Sequence, residues 1–160
     1  MEGLDGAGKN TLVTGVVDEL TRRGAAVSTF TFPRYGSSVF ADVASEALHG
    51  EHGDLRESVN AMALLFALDR ADAATQIRSA LTESDVVILD RYVASNAAYS
   101  AGRLRQDASG DVVRWVADLE WGDVEGWVSR GGADLGTRRA IPTVDDLYEI
   151  GRTIENTRLD

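Results

Sequence analysis

An α/β fold with a parallel sheet is what this sequence predicts, and three observations carry the prediction. A glycine-rich turn, Gly3-Leu4-Asp5-Gly6-Ala7-Gly8-Lys9, runs straight into an amphipathic stretch. Val86-Val87-Ile88-Leu89 is an unbroken apolar run of the kind found in parallel strands covered on both faces, and it ends on Asp90. Between and before these, helical and extended patterns alternate, which is the signature of strands joined by crossover helices.

The elements follow in order. Over residues 11–23, Leu12, Val13, Val16, Val17 and Leu20 form one apolar helical stripe, stopped by Gly24. Residues 25–32 include Val27, Phe30 and Phe32 in alternation and break at Pro33, predicting a strand. Residues 38–48 predict a short helix closed by Gly50 and Gly53, and residues 58–81 a longer one with Leu64, Leu65, Leu68 and Ile77 as core. Residues 86–89 then form the second strand. Val112, Trp115, Val116 and Leu119 make a further amphipathic stripe, for the core or for a partner helix. In folds of this class the glycine turn follows a buried strand, yet only Met1 and Glu2 precede Gly3, so the first strand is expected to be lacking. Residues 1–121 read as the core. Residues 122–160 read as a divergent C-terminal segment of the same domain, with a turn at Pro142 but no clear buried strand.

Composition narrows the function. A chain of 160 residues, 44% hydrophobic and 26% charged, suits one domain with a sizeable core. The longest apolar run, residues 61–68, is far short of a membrane span, and Met1-Glu2-Gly3 does not open a secretory signal. With no cysteine there is neither disulfide nor thiolate metal site, and a cytoplasmic location is expected. A formal charge of -10 with no basic run argues against nucleic acid as partner. Any phosphate must be gripped locally, by a few side chains and backbone dipoles.

Lys9 is the only lysine among 16 basic residues. It closes a match to G-x-x-x-x-G-K, in which glycines let backbone N–H groups crowd a polyphosphate, the helix N-terminus adds partial positive charge, and the lysine serves the outer phosphates. Asn10 stands where Ser or Thr ordinarily meets Mg²⁺, and Thr11 comes one residue late, so metal binding is expected to be arranged differently. Asp90 and Arg91 leave one strand end together, a carboxylate suited to organising metal and water beside a guanidinium suited to clamping an anion; a strand-end salt bridge is the plainer alternative. Phe66 and Arg70 share a helix face, as a ring and a guanidinium that could hold a flat base, and Asn96 and Tyr99 are similarly paired. A core Phe beneath a surface Arg is the plainer reading of the first pair. His49 and His52 lie in a turn without a third evident ligand, which makes a poor metal site.

Taken together, Glu2 to Lys9, Phe32-Pro33-Arg34-Tyr35-Gly36 and Asp90-Arg91-Tyr92 resemble thymidylate kinase, in particular its actinobacterial branch, over residues 2 to about 120. The resemblance implies the three-layer P-loop nucleoside monophosphate kinase fold, here without its first strand and usual C-terminal elements. It implies transfer of phosphate from ATP to dTMP with Mg²⁺, in a homodimer. By the same resemblance Gly3, Leu4, Asp5, Gly6, Ala7, Gly8, Lys9, Asn10 and Thr11 bind ATP, and Asp5 lies near the sugar hydroxyl and the magnesium. Phe66 stacks on thymine while Arg70 and Asn96 bond its edge. Tyr99 excludes a ribose hydroxyl, and Phe32, Tyr35 and Arg91 frame the dTMP phosphate, with Arg34 a lesser candidate. Asp5, Lys9 and Arg91 are the catalytic set so implied. Two other readings stay open: an inactive nucleotide-binding remnant, and a related kinase acting on another acceptor.

Overall fold

The computed structural model describes residues 1–3 and 6–123 of the chain. Two parallel strands, β1 (Val27–Thr31) and β2 (Val86–Asp90), pair in register from Val27 opposite Val86 to Thr31 opposite Asp90. Met1 extends this pattern on the other edge of β2. Its nitrogen donates to the Leu89 carbonyl, and its carbonyl accepts from the Arg91 N–H at 2.8 Å. Bonds to the residues on either side of Asp90 are the mark of a parallel pair, so the residue entering the glycine turn lies in strand register beside β2.

Helix α1 (Lys9–Arg22) begins at Gly8, whose φ of 80° only glycine adopts without strain. It ends in a Schellman arrangement: the Gly24 N–H donates to Thr21 and that of Ala25 to Leu20. Helix α2 (Val39–Leu48) buries Ala41, Ala44 and Ala47. After a short 3₁₀ turn over Leu55–Glu57, the 25-residue helix α3 (Val59–Glu83) opens on Ser58, whose hydroxyl caps the Ala61 N–H at 3.2 Å. Helices α4 (Val93–Leu104) and α5 (Asp111–Ala117) follow, and α5 runs on into a π-helical stretch, Asp118–Asp123.

Helix α1 touches both strands and α3 touches β2, while α2 and α4 pack on α3 and α5 packs on α4. The largest buried cluster joins Ala63 of α3, Val93, Ala97 and Ala101 of α4, and Val112, Val113 and Val116 of α5. Full burial of Val116 alone is worth roughly 1.5–3 kcal/mol. A second cluster gathers Phe32, Ala73 and Ile77 beside the sheet, and a third Ala44, Ala47 and Met62 between α2 and α3.

Two expectations need correction. Of the four residues named as the core of α3, only Ile77 is buried; Leu64 is exposed, and Leu65 and Leu68 are half-buried. Ala63, Ala67 and Ala73 occupy the inner face instead, because α2 and α4 pack close against the helix and methyl groups are what fits. Val86 to Leu89 are half-buried, not fully covered, among the described residues, and the stripe of α1 holds no buried residue.

Candidate phosphate and base site

Three glycines set the loop. Gly6 and Gly8 have φ of 76° and 80°, and Gly3 has 148°. A methyl group at Gly3 would come within 3.4 Å of the Lys9 Cδ, so the aliphatic stem of Lys9 lies back across the entry to the loop. The first turn of α1 has no side-chain cap and no acidic residue. Its first N–H groups give this end of the helix a positive potential, suited to an anion. Leu4 and Asp5 lie outside the described residues, and with them the expected metal ligand.

The C-terminal end of β2 borders this loop through Met1. Asp90 is 6% exposed, and its buried Oδ1 has no hydrogen-bond partner among the described residues. An unsatisfied buried carboxylate oxygen is costly unless something polar meets it, and a divalent cation or its water is suitable chemistry. Arg91 follows with φ of 59°, a strained backbone for arginine of the kind found at ligand sites, and its guanidinium lies 5.7 Å from the centre of the Tyr99 ring. Arg91 and Tyr99 are thus brought together.

Glu2, just before the loop, bridges it to α4. One carboxylate oxygen accepts the Tyr92 N–H at 2.8 Å, and the other accepts the Ser95 hydroxyl. A carboxylate at the N-terminus of α4 is electrostatically favoured, and it ties the loop entry to the helix that carries Asn96 and Tyr99.

Arg34 is engaged by two carboxylates of α3. Its Nε donates to Asp69 Oδ1 at 2.9 Å, its backbone N–H to Asp69 Oδ2 at 3.0 Å, and an outer nitrogen to the Asp69 carbonyl and to Asp72. Burial acts to lower its pKa, but bonds and charges from Asp72 and Asp69 more than offset this and carry it above the ordinary arginine value. Asp69 is completely buried, so this arginine pins the segment after β1 to α3. Phe32, preceding a cis peptide at Pro33, is 2% exposed and meets Tyr92 edge-on at 5.6 Å. It packs in the core with Ala73 and Ile77, while Tyr35 is exposed.

Phe66 is half-buried against the alanine cluster of α2. One turn on, Arg70 is 5% exposed, and Asn96 of α4 is 6% exposed. What joins them is Glu120, a residue the sequence did not single out. Arg70 Nε donates to Glu120 Oε2 at 2.7 Å, an Arg70 outer nitrogen donates to Oε1, and Asn96 Nδ2 donates to the same Oε1 at 2.9 Å. Asn96 Nδ2 also donates to the Ala63 carbonyl at 3.0 Å, and Tyr92 lies 5.9 Å from the Arg70 guanidinium. His49 and His52 are occupied locally, by the Ser45 carbonyl and the Glu46 carboxylate.

A glycine loop opening a helix, a carboxylate and an arginine leaving the adjacent strand end, and a buried polar cluster between two helices define an α/β phosphate-loop protein of the nucleotide kinase type. Residues 1–114 match the family profile described as thymidylate kinase. Thymidylate kinase of Mycobacterium tuberculosis is 59% identical over 121 residues, covering 76% of this chain and 56% of that protein. The enzyme of Bifidobacterium longum is 41% identical over 103 residues, covering 63% and 50%. Among solved structures, thymidylate kinase from Candida albicans superposes with a TM-score of 0.55 at 26% identity, covering 81% of this chain and 53% of that one. The chain belongs to the thymidylate kinase family, and it spans about half the length of the relatives it matches.

Proposed function

We propose that this chain binds ATP and dTMP and transfers the terminal phosphate of ATP to the phosphate of dTMP, giving ADP and dTDP. The observation that carries the reading is the loop with Lys9 folded across Gly3, next to a strand end that delivers Asp90 and Arg91 together. Lys9 and the amides at the start of α1 hold the triphosphate. Arg91 clamps the acceptor phosphate and brings its oxygen in line with the terminal phosphorus of ATP. Little covalent work falls to the protein in such a transfer; fixing two anions against each other and neutralising their charge is the catalysis.

Mg²⁺, when bound, screens the phosphate charge, and Asp90, with its unsatisfied buried oxygen, and Asp5 are the residues to hold it or its water. Phe66, Arg70 and Asn96 bind the thymine ring, and Tyr99 lies against the sugar where a 2'-hydroxyl would project. A cytoplasmic location and a homodimer belong to the same reading; among the described residues no helix is long and apolar enough to cross a membrane.

A second reading is nucleotide binding without transfer. An acceptor panel with labelled ATP separates the readings. Label appearing on dTMP in preference to dCMP and UMP is the expected result; label on no acceptor, with dTMP still bound, would leave the binding role.

A further inference from the structure

Glu120 lies outside the loop, the strand end and the residues assigned to the thymine ring, yet it touches both polar groups of the base pocket. We infer that Glu120 is a positioning residue that sets the hydrogen-bonding polarity of this pocket, so that it accepts a pyrimidine with a protonated ring N3 and rejects one with a bare N3. The inference rests on the assignment of Arg70 and Asn96 to the base.

Asn96 has two N–H groups, both on Nδ2. One goes to the Ala63 carbonyl at 3.0 Å and the other to Glu120 Oε1 at 2.9 Å. A backbone carbonyl and a carboxylate can only accept, so they fix which end of the amide is nitrogen. Asn96 has nothing left to offer a ligand but its Oδ1, an acceptor. Arg70 gives its Nε hydrogen and one outer hydrogen to the same carboxylate, and it retains three more N–H groups, all donors. Glu120 is only 8% exposed, and water cannot readily take its place. The pocket therefore pairs one acceptor with an arginine that only donates. The edge of thymine or uracil is complementary, with an N3–H beside a carbonyl oxygen. Cytosine has both groups reversed, so its N3 lone pair would meet Oδ1 and its amino group would meet the guanidinium.

Glu120→Gln tests this while keeping shape. A single amide oxygen cannot serve three N–H groups, and its NH₂ must face at least one of them, so Arg70 or Asn96 has to turn. Calorimetric binding of dTMP and dCMP to the full chain and to this variant is the experiment. The expected result is that dTMP affinity falls about tenfold or more, since bonds to a charged partner are lost, and that the ratio of dTMP to dCMP affinity narrows. Glu120→Asp, which keeps the charge, should recover part of both, with ATP affinity unaltered throughout. Unchanged dTMP affinity and ratio would overturn the inference. So would equal weakening of both ligands, which a purely structural role would give. Failure of the wild-type chain to bind dTMP would overturn the base assignment, and the inference with it. If Glu120→Gln does not fold, the Asn96 side-chain amide protons of the free wild-type chain decide by NMR: slow exchange of both is expected, and fast exchange would contradict the account.

Discussion

Arg70 on α3 and Glu120 in the π-helical stretch are 50 residues apart in the chain and form a two-point ion pair inside the fold, with side chains 6% and 3% exposed. Removing one partner leaves the other charged in a dry setting, which costs more than the pair itself contributes. Glu120→Ala is therefore expected to lower stability by about 3–5 kcal/mol. Replacing both at once, Arg70→Met with Glu120→Leu, should recover most of that while losing the proposed contacts to the base. Urea denaturation of the three variants checks this; equal loss in the single and double variants would refute it.

Arg34 supports the structure, so Arg34→Ala should destabilise the chain while leaving dTMP affinity within about threefold. Its loss strands Asp69, which is fully buried, and a cost of about 3–5 kcal/mol is expected. A denaturation midpoint and a dTMP titration on the same sample decide. A stable variant with dTMP binding abolished would restore Arg34 to the phosphate site.

At Gly8 nothing lies within 4 Å of an added methyl, so the cost of Gly8→Ala comes from backbone conformation alone. At φ of 80° that is roughly 1–2 kcal/mol. Because the strain is relieved most simply by reshaping the loop, ATP affinity should drop by more than dTMP affinity, as paired titrations would reveal.

Tyr99 is 47% exposed, so Tyr99→Ala should change stability by no more than about 0.5 kcal/mol. Its ring sits under Arg91 and beside the proposed sugar position. The preference for dTMP over its ribose counterpart should narrow by about tenfold or more if the ring excludes the 2'-hydroxyl. An unchanged preference would remove Tyr99 from that role.

Much of this was legible in the sequence where the signal is local. The glycine turn, both strands and helices α1, α2 and α3 follow from periodicity and breakers, to within a few residues, whereas α4 was approached only through the spacing of Asn96 and Tyr99. Local pattern also picked out Arg70 and Asn96 as polar groups on helix faces. It missed Glu120, because a glutamate in an amphipathic stretch is ordinarily solvated and only the approach of α5 to α3 and α4 buries this one. The resemblance offered Arg34 as a lesser candidate for the phosphate, whereas its partners in the structure, Asp69 and Asp72, lie on a helix far along the chain. The leucines of α3 misled for a related reason. Hydrophobicity alone ranks Leu64 above Ala63, but close helix packing selects by volume.

The most direct test is formation of dTDP, followed chromatographically, by the purified 160-residue chain given ATP, Mg²⁺ and dTMP, with Lys9→Ala in parallel. Product is expected from the wild-type chain and at least about a hundredfold less from Lys9→Ala, the scale of losing one charge-stabilising donor, with dTMP binding retained in both. A folded wild-type chain that binds dTMP and makes no dTDP, or a Lys9→Ala variant as active as wild type, would contradict this expectation.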